Sequence, residues 1–193
     1  MYFSATMAPF VLTGCIALSE LGQPAYRMYY RKVVHMLIGI SFVWLDVPFA
    51  PLTVLVAAGI GSCYIYPFAI RHSPTDLDVG ITGYMLCLCA VTWLGVDKTH
   101  LLGMFLADPM GFLVGFTFPS RKWYRDKTLL GSTAVGLTSF LLLYPITYRF
   151  DWTLLVAVLV AGTEAVCGDF DNVGICVVLC LNSLFVTRFI SAL

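Results

Sequence analysis

The chain has 193 residues, 60% hydrophobic and 11% charged, far from a soluble domain, where roughly a quarter of residues carry charge. A mean hydropathy of +0.88 and a formal net charge of zero fit an integral membrane protein and offer no bulk attraction to nucleic acid. At about 20 residues per span, the length allows one domain over 1–193 with about seven to eight transmembrane helices and little soluble chain.

Apolar runs between short polar stretches predict helices over about 5–21, 33–47, 52–70, 80–95, 99–118, 128–147, 152–168 and 173–190, an all-α polytopic bundle. The first segment, MYFSATMAPF, has no basic head and no A-x-A site after its apolar run, so it reads as a retained span rather than a signal peptide. The second run is headed by Arg31 and Lys32. His35 stands four residues after Arg31, on the same helical face. This run ends at Asp46-Val47-Pro48, and Pro51 opens the next. The run over 99–118 holds Asp108-Pro109 at its middle, which predicts a kink or break, because proline removes a backbone donor and crowds the preceding turn. Gly111 and Gly115 then form a G-x-x-x-G pair that lets a second backbone approach, within the chain or between subunits of an oligomer. The cysteines lie almost entirely inside apolar runs. Neither Cys87-x-Cys89 nor Cys176-x3-Cys180 has a nearby histidine to complete a zinc site, so they read as small hydrophobes.

The cations are unevenly distributed. Arg27, Arg31, Lys32, Arg71, Arg121, Lys122, Arg125 and Lys127, eight of the eleven Lys and Arg, fall in alternate connections of an eight-helix count. The positive-inside rule makes that face cytoplasmic, with both termini opposite.

Ionisable groups at membrane depth need a partner or a task. Asp108 and Glu164 are the deepest, and Asp169, Asp171 and Asn172 mark the connection after 152–168 on the basic face. The stretch SRKWYRDKTLLGST, Ser120 to Thr133, is the densest in cations and runs into a Thr-led helix start containing Gly131 and Ser132. Cations beside free backbone N–H groups at a helix N-terminus suit a polyphosphate, although an ordinary cytoplasmic loop or an anionic-lipid contact has the same composition. Asp171-Asn172 pairs a carboxylate with an amide oxygen, a donor set suited to Mg²⁺ that also holds substrate phosphates, and also a common turn sequence. Phosphoryl transfer needs these parts: cations for phosphate charge, carboxylates for Mg²⁺, and a group that orients or deprotonates the attacking hydroxyl.

Together these residues resemble the CTP-dependent lipid-alcohol kinases, the family of dolichol kinase, phytol kinase and the yeast-type diacylglycerol kinase. Arg31-Lys32-x-x-His35-x-x-x-Gly39 is similar to the family's R-K-x-x-H motif. Ala107-Asp108-Pro109-Met110-Gly111 through Gly115, followed by Lys127-Thr128-Leu129-Leu130-Gly131-Ser132, resembles its G-D-x-x-A-x-x-x-G and K-[ST]-x-E-G-[ST] elements, and Glu164 with Asp171-Asn172 resembles its closing E…D-N. Three departures stand out: Ala107 for glycine, an unexpected Pro109, and Leu130 for glutamate. The resemblance implies a membrane kinase passing the γ-phosphate of CTP, or another nucleoside triphosphate, to a polyprenol, phytol or diacylglycerol hydroxyl. It further implies Mg²⁺ on Asp108, Asp171 and Asn172, phosphate held by Arg31, Lys32, Lys127, Gly131 and Ser132, His35 and Asp108 in catalysis with Lys127, and Glu164 in support.

Two other readings stand beside it. The CDP-diacylglycerol synthases are similar in the middle of the chain, but their usual closing D-R-x-D differs from Asp169-Phe170-Asp171-Asn172 and they lack the R-K-x-x-H element. A non-catalytic lipid-binding or transport protein on the same scaffold would accommodate Leu130 and Pro109.

Overall fold

The computed structural model describes residues 27–44, Thr53 and 79–190, and the helices expected at 5–21 and 52–70 lie outside the described residues, Thr53 apart. By its internal contacts the chain divides into two compact units, Met1–Leu94 and Gly95–Leu193.

In the first unit, α1 spans Arg27–Trp44 and α2 spans Val79–Leu94. Helix α1 starts before the expected residue 33, so Arg31 and Lys32 lie inside the helix rather than ahead of it. The His35 ring packs against Tyr84 with centroids 4.3 Å apart, and the Tyr84 hydroxyl donates to the His35 carbonyl at 3.2 Å.

The second unit begins with a 3₁₀ turn, Lys98–Leu101, whose entry is capped by Asp97: its carboxylate accepts from the Thr99 backbone N–H at 2.9 Å and from the Thr99 hydroxyl at 2.8 Å. A π turn over Gly103–Ala107 follows and leads into α3, Asp108–Thr117. The irregularity expected at Asp108-Pro109 thus takes the form of a widened turn immediately before proline, which sits where a helix needs no N–H from it. A hairpin of β1, Lys122–Tyr124, and β2, Lys127–Thr128, follows, antiparallel and turned through Arg125-Asp126 with Arg125 at φ 45°. Helix α4 spans Leu129–Thr147, α5 Phe150–Cys167, and α6 Asp171–Phe185, the last continuing into a π turn over Val186–Ile190.

Among the described residues, three continuous helical stretches are long and apolar enough to cross a membrane: Lys98–Thr117, Leu129–Thr147 and Phe150–Arg188. The third is not one rod. It reverses at Gly168, φ 57° and ψ −120°, and the Trp152 and Phe185 rings stack 4.1 Å apart, whereas a straight helix would separate them by about 50 Å at 1.5 Å per residue. Thus α5 and α6 form an antiparallel hairpin. Lys32–Trp44 and Thr82–Leu94 are shorter apolar helices. The described residues are therefore mostly helical, as expected, but hold fewer membrane-length helices than seven or eight.

The core of the second unit gathers Leu101, Met104 and Phe105 from the irregular stretch, Val135 and Leu143 from α4, Val160 from α5, and Ile175 and Leu179 from α6. The outward faces are equally apolar: Leu137, Leu141, Leu155, Val158, Leu159 and Leu181 are all exposed. Helices apolar on every side fit a lipid surround.

The G-x-x-x-G pair seats α3 against α4. A Cβ on Gly111 would lie 2.3 Å from Val135 Cγ2, and one on Gly131 would lie 2.9 Å from the Gly111 carbonyl oxygen and 3.4 Å from Gly115 Cα. This close approach is internal to the chain, and it explains why position 131 is glycine.

Candidate functional site

Local signals place each polar group. Glu164 lies in the last turn of α5, which ends at Gly168 in a backbone geometry that a side chain disfavours. Asp171 opens α6, where the exposed N–H groups of a helix start favour a carboxylate, and its Oδ1 accepts from the Asn172 N–H at 2.7 Å. Asp108 opens α3 directly after the π turn. Lys127 stands on β2 at the edge of the bundle.

The hairpin that carries Lys127 is pinned to the start of α4. The Leu129 N–H donates to the Arg121 carbonyl at 2.9 Å, the Leu130 N–H to Ser120 Oγ at 3.0 Å, and the Gly131 N–H to Thr128 Oγ1 at 3.2 Å. Trp123 Nε1 donates to Ser132 Oγ at 2.9 Å. Arg125 lies over the Tyr124 ring, 5.4 Å from its centroid, and its Nη1 sits 3.5 Å from where a Gly168 Cβ would be, so the cationic tip touches the α5–α6 reversal.

These elements bring Asp108, Glu164 and Asp171 together: one carboxylate oxygen from each lies within 4.8 Å of the others. Asp108 is 2% and Glu164 4% exposed. The ammonium of Lys127 forms an ion pair with Glu164 Oε1, bridging 37 residues of sequence, with its own side chain 31% exposed. Burial presses the Lys127 pKa down, but the charge and hydrogen bond of Glu164, then the charges of Asp171 and Asp108, outweigh it and hold the pKa above the ordinary lysine value. Lys127 is therefore an ammonium at neutral pH.

Three carboxylate oxygens are hard donors of the kind that Mg²⁺ and Ca²⁺ take. Around an octahedral Mg²⁺ adjacent oxygens lie about 3.0 Å and opposite ones about 4.2 Å apart, so from a spread of up to 4.8 Å the carboxylates would close by up to about 2 Å on such an ion. The donor type suits a divalent cation, and Ca²⁺, with its longer bonds, asks for less closure than Mg²⁺.

Of the expected site residues, the second unit brings together Asp108, Lys127, Glu164 and Asp171, with Asn172 buried beside Asp171. Glu164 supplies one of the three clustered carboxylates. Gly131 and Ser132 lie at the α4 start, where the N–H groups of Leu129, Leu130 and Gly131 already have acceptors inside the chain, so a phosphate there would have to displace Ser120 or Thr128. Leu130, in the family's glutamate position, is exposed. Arg31, Lys32 and His35 belong to α1 in the first unit, where His35 packs on Tyr84. Sequence reasoning missed Ser120 and Trp123, which fix the hairpin; a serine ten residues before its partner carries no local signature.

Comparison with protein-family models, with curated proteins and with solved structures gave no match, so the site is read from its own residues.

Proposed function

We propose that this chain is a membrane-embedded kinase that transfers the terminal phosphate of CTP, or another nucleoside triphosphate, to the hydroxyl of a lipid alcohol. The observation that carries this reading is the meeting of Asp108, Glu164 and Asp171 with the Lys127 ammonium at the basic end of the α3–α6 bundle. Asp108, Glu164 and Asp171, with Asn172 assisting, would hold Mg²⁺, which when bound supplies neutralisation of phosphate charge. Lys127 meets the phosphate oxygens, while Gly131 and Ser132 border the phosphates. The sequence resemblance gives Arg31 and Lys32 a phosphate-binding role and His35 the task of orienting the lipid hydroxyl or taking its proton. A lipid O–P bond forms as the bond to the departing CDP breaks, and the hydroxyl proton leaves to a base. The apolar outer faces admit a polyprenol, phytol or diacylglycerol tail sideways from the bilayer, and the basic end faces the cytoplasm. Seven to eight spans in all would require crossings at 5–21 and 52–70, which cysteine-accessibility labelling of those segments tests.

The test of the chemistry is purified protein in lipid nanodiscs with γ-labelled CTP and each alcohol. Label entering the lipid is expected; no transfer to any of the three alcohols, from CTP or ATP, overturns the reading.

One observation favours a second reading, cytidylyl transfer to a phosphatidic-acid-like lipid. The residues that converge, Asp108 and Lys127, are those the two families share. Label from the α-phosphate of CTP entering lipid would select it.

A further inference from the structure

Lys127 is bound to the same carboxylate that helps form the candidate cation cluster. Its ammonium pairs with Glu164 Oε1, and a Glu164 oxygen lies within 4.8 Å of oxygens from Asp108 and Asp171. A lysine ammonium is a compact, mobile point charge on a flexible stem, unlike a planar guanidinium fixed by two bonds. The Glu164 side chain is only 5% exposed, so solvent screens this pair weakly, while the Lys127 side chain keeps 31% of its surface open and has room to swing.

We propose that Lys127 and a divalent cation compete for Glu164, so that metal loading frees the Lys127 ammonium to engage a phosphate. This rests on the reading of Asp108, Glu164 and Asp171 as a cation site given above. A dication entering the carboxylates meets a positive charge already seated there. The two repel at close range in a poorly screened site, and the cheapest relief is for Lys127 to leave Glu164. The lysine then has no carboxylate to neutralise it and turns toward whatever anion the loaded site presents. Metal and nucleotide binding are thereby coupled, because metal converts Lys127 from an internal counter-ion into a phosphate ligand.

The coupling has a signature that a purely phosphate-binding or purely structural lysine lacks: deleting its charge strengthens metal binding. Mn²⁺ is the probe, followed by electron paramagnetic resonance of the free ion, with the full chain in nanodiscs and no nucleotide. Lys127→Met is expected to bind Mn²⁺ about tenfold or more tightly than the parent, since a monopositive charge within a few ångströms has gone, and Lys127→Arg is expected to stay near the parent. Helical content and melting temperature establish that each variant is folded. If Lys127→Met melts without metal, Lys127→Gln read at lower temperature serves in its place. In a second measurement, Mn²⁺ should raise the affinity for a non-hydrolysable CTP analogue in the parent by a larger factor than in Lys127→Met. Unchanged or weaker Mn²⁺ binding in Lys127→Met overturns the competition while leaving the cation site standing. Absence of any Mn²⁺ binding that Asp108→Asn removes, in parent and variant alike, overturns the cation site and the competition with it.

Discussion

Lys127 on β2 and Glu164 in the last turn of α5 form the ion pair that ties the surface hairpin to the interior of the second unit. The pair is asymmetric, with Glu164 enclosed and Lys127 partly open. Removing the lysine leaves a buried carboxylate beside two others, so Lys127→Met should lower stability in the presence of chelator by about 1–3 kcal/mol. Lys127→Met/Glu164→Gln should recover part of that loss, because the buried charge goes with its partner. Millimolar Mn²⁺ should raise the melting temperature of Lys127→Met more than that of the parent, which thermal unfolding in nanodiscs reads directly.

The crossing of α3 and α4 gives a prediction that separates backbone from side-chain conflict. Gly111→Ala would set its methyl 2.3 Å from Val135 Cγ2, a group that a second substitution can remove. Gly131→Ala would press on the Gly111 carbonyl oxygen at 2.9 Å, which no side-chain change relieves. Both should destabilise by about 1–3 kcal/mol. Val135→Ala should rescue much of the first and little of the second, measured as melting temperatures of the four variants.

How much of this was legible in the sequence depends on range. The small-residue spacing of Gly111 and Gly115 announced a close approach, and Asp108-Pro109 announced an irregular helix, because both are local consequences of side-chain size and of a missing N–H. Lys127, Asp108 and Asp171 were named as site residues from residue type and order. The pairing of Lys127 with Glu164 was not legible, since 37 residues and a chain reversal at Gly168 separate them. The hairpin over Lys122–Thr128 also escaped: its strands are too short to show alternation, and Arg125 at φ 45° is a poor advertisement for a tight turn. The start of α1 came earlier than expected because Arg27 to Lys32 is polar enough to look like loop, although nothing in it breaks a helix.

At the other end of the bundle, Asn182 links two elements that sequence does not associate. Trp152 Nε1 donates to Asn182 Oδ1 at 2.8 Å, which turns the Asn182 amide nitrogen toward His100 Nδ1 at 3.1 Å. The amide must donate there, so the imidazole accepts at Nδ1 and carries its proton on Nε2. Asn182→Leu strands both partners in an apolar setting and should cost about 1–3 kcal/mol. Trp152→Phe keeps the stacking on Phe185 and loses one hydrogen bond, so it should cost only about 0.6–1.7 kcal/mol. Equal losses in the two variants, by thermal unfolding, would contradict the relay.

The hairpin has its own pH dependence. Asp126 accepts from Lys122 Nζ at 2.8 Å, and that hydrogen bond, then the lysine charge, lowers the Asp126 pKa below its ordinary value. A folded pKa below the unfolded one means that the contribution is present above the ordinary aspartate value, about 3.9, and is lost as pH falls through the folded value. Trp123, two residues before the turn, reports it: its emission should shift as the pH drops below about 4. Asp126→Asn should remove that shift, and because the pair is exposed it should leave the melting temperature near that of the parent.

Charge and shape at the cluster can be separated by amide substitution. Asp108→Asn and Asp171→Asn keep the side-chain outline, and the Asn172 N–H still finds an acceptor at position 171, so the fold should persist with its melting temperature little changed or raised, because like charges within 4.8 Å of one another are being reduced. Phosphoryl transfer should fall by about 100-fold or more in each, since neutralising a carboxylate removes charge stabilisation rather than lipid binding. The fall should appear in kcat and in metal affinity together, with KM for the lipid alcohol unchanged. A variant that loses activity while keeping parental Mn²⁺ affinity would move its carboxylate from holding the cation to orienting the hydroxyl. For Asp108, the most enclosed of the three, the expected order is loss of metal first and of turnover with it.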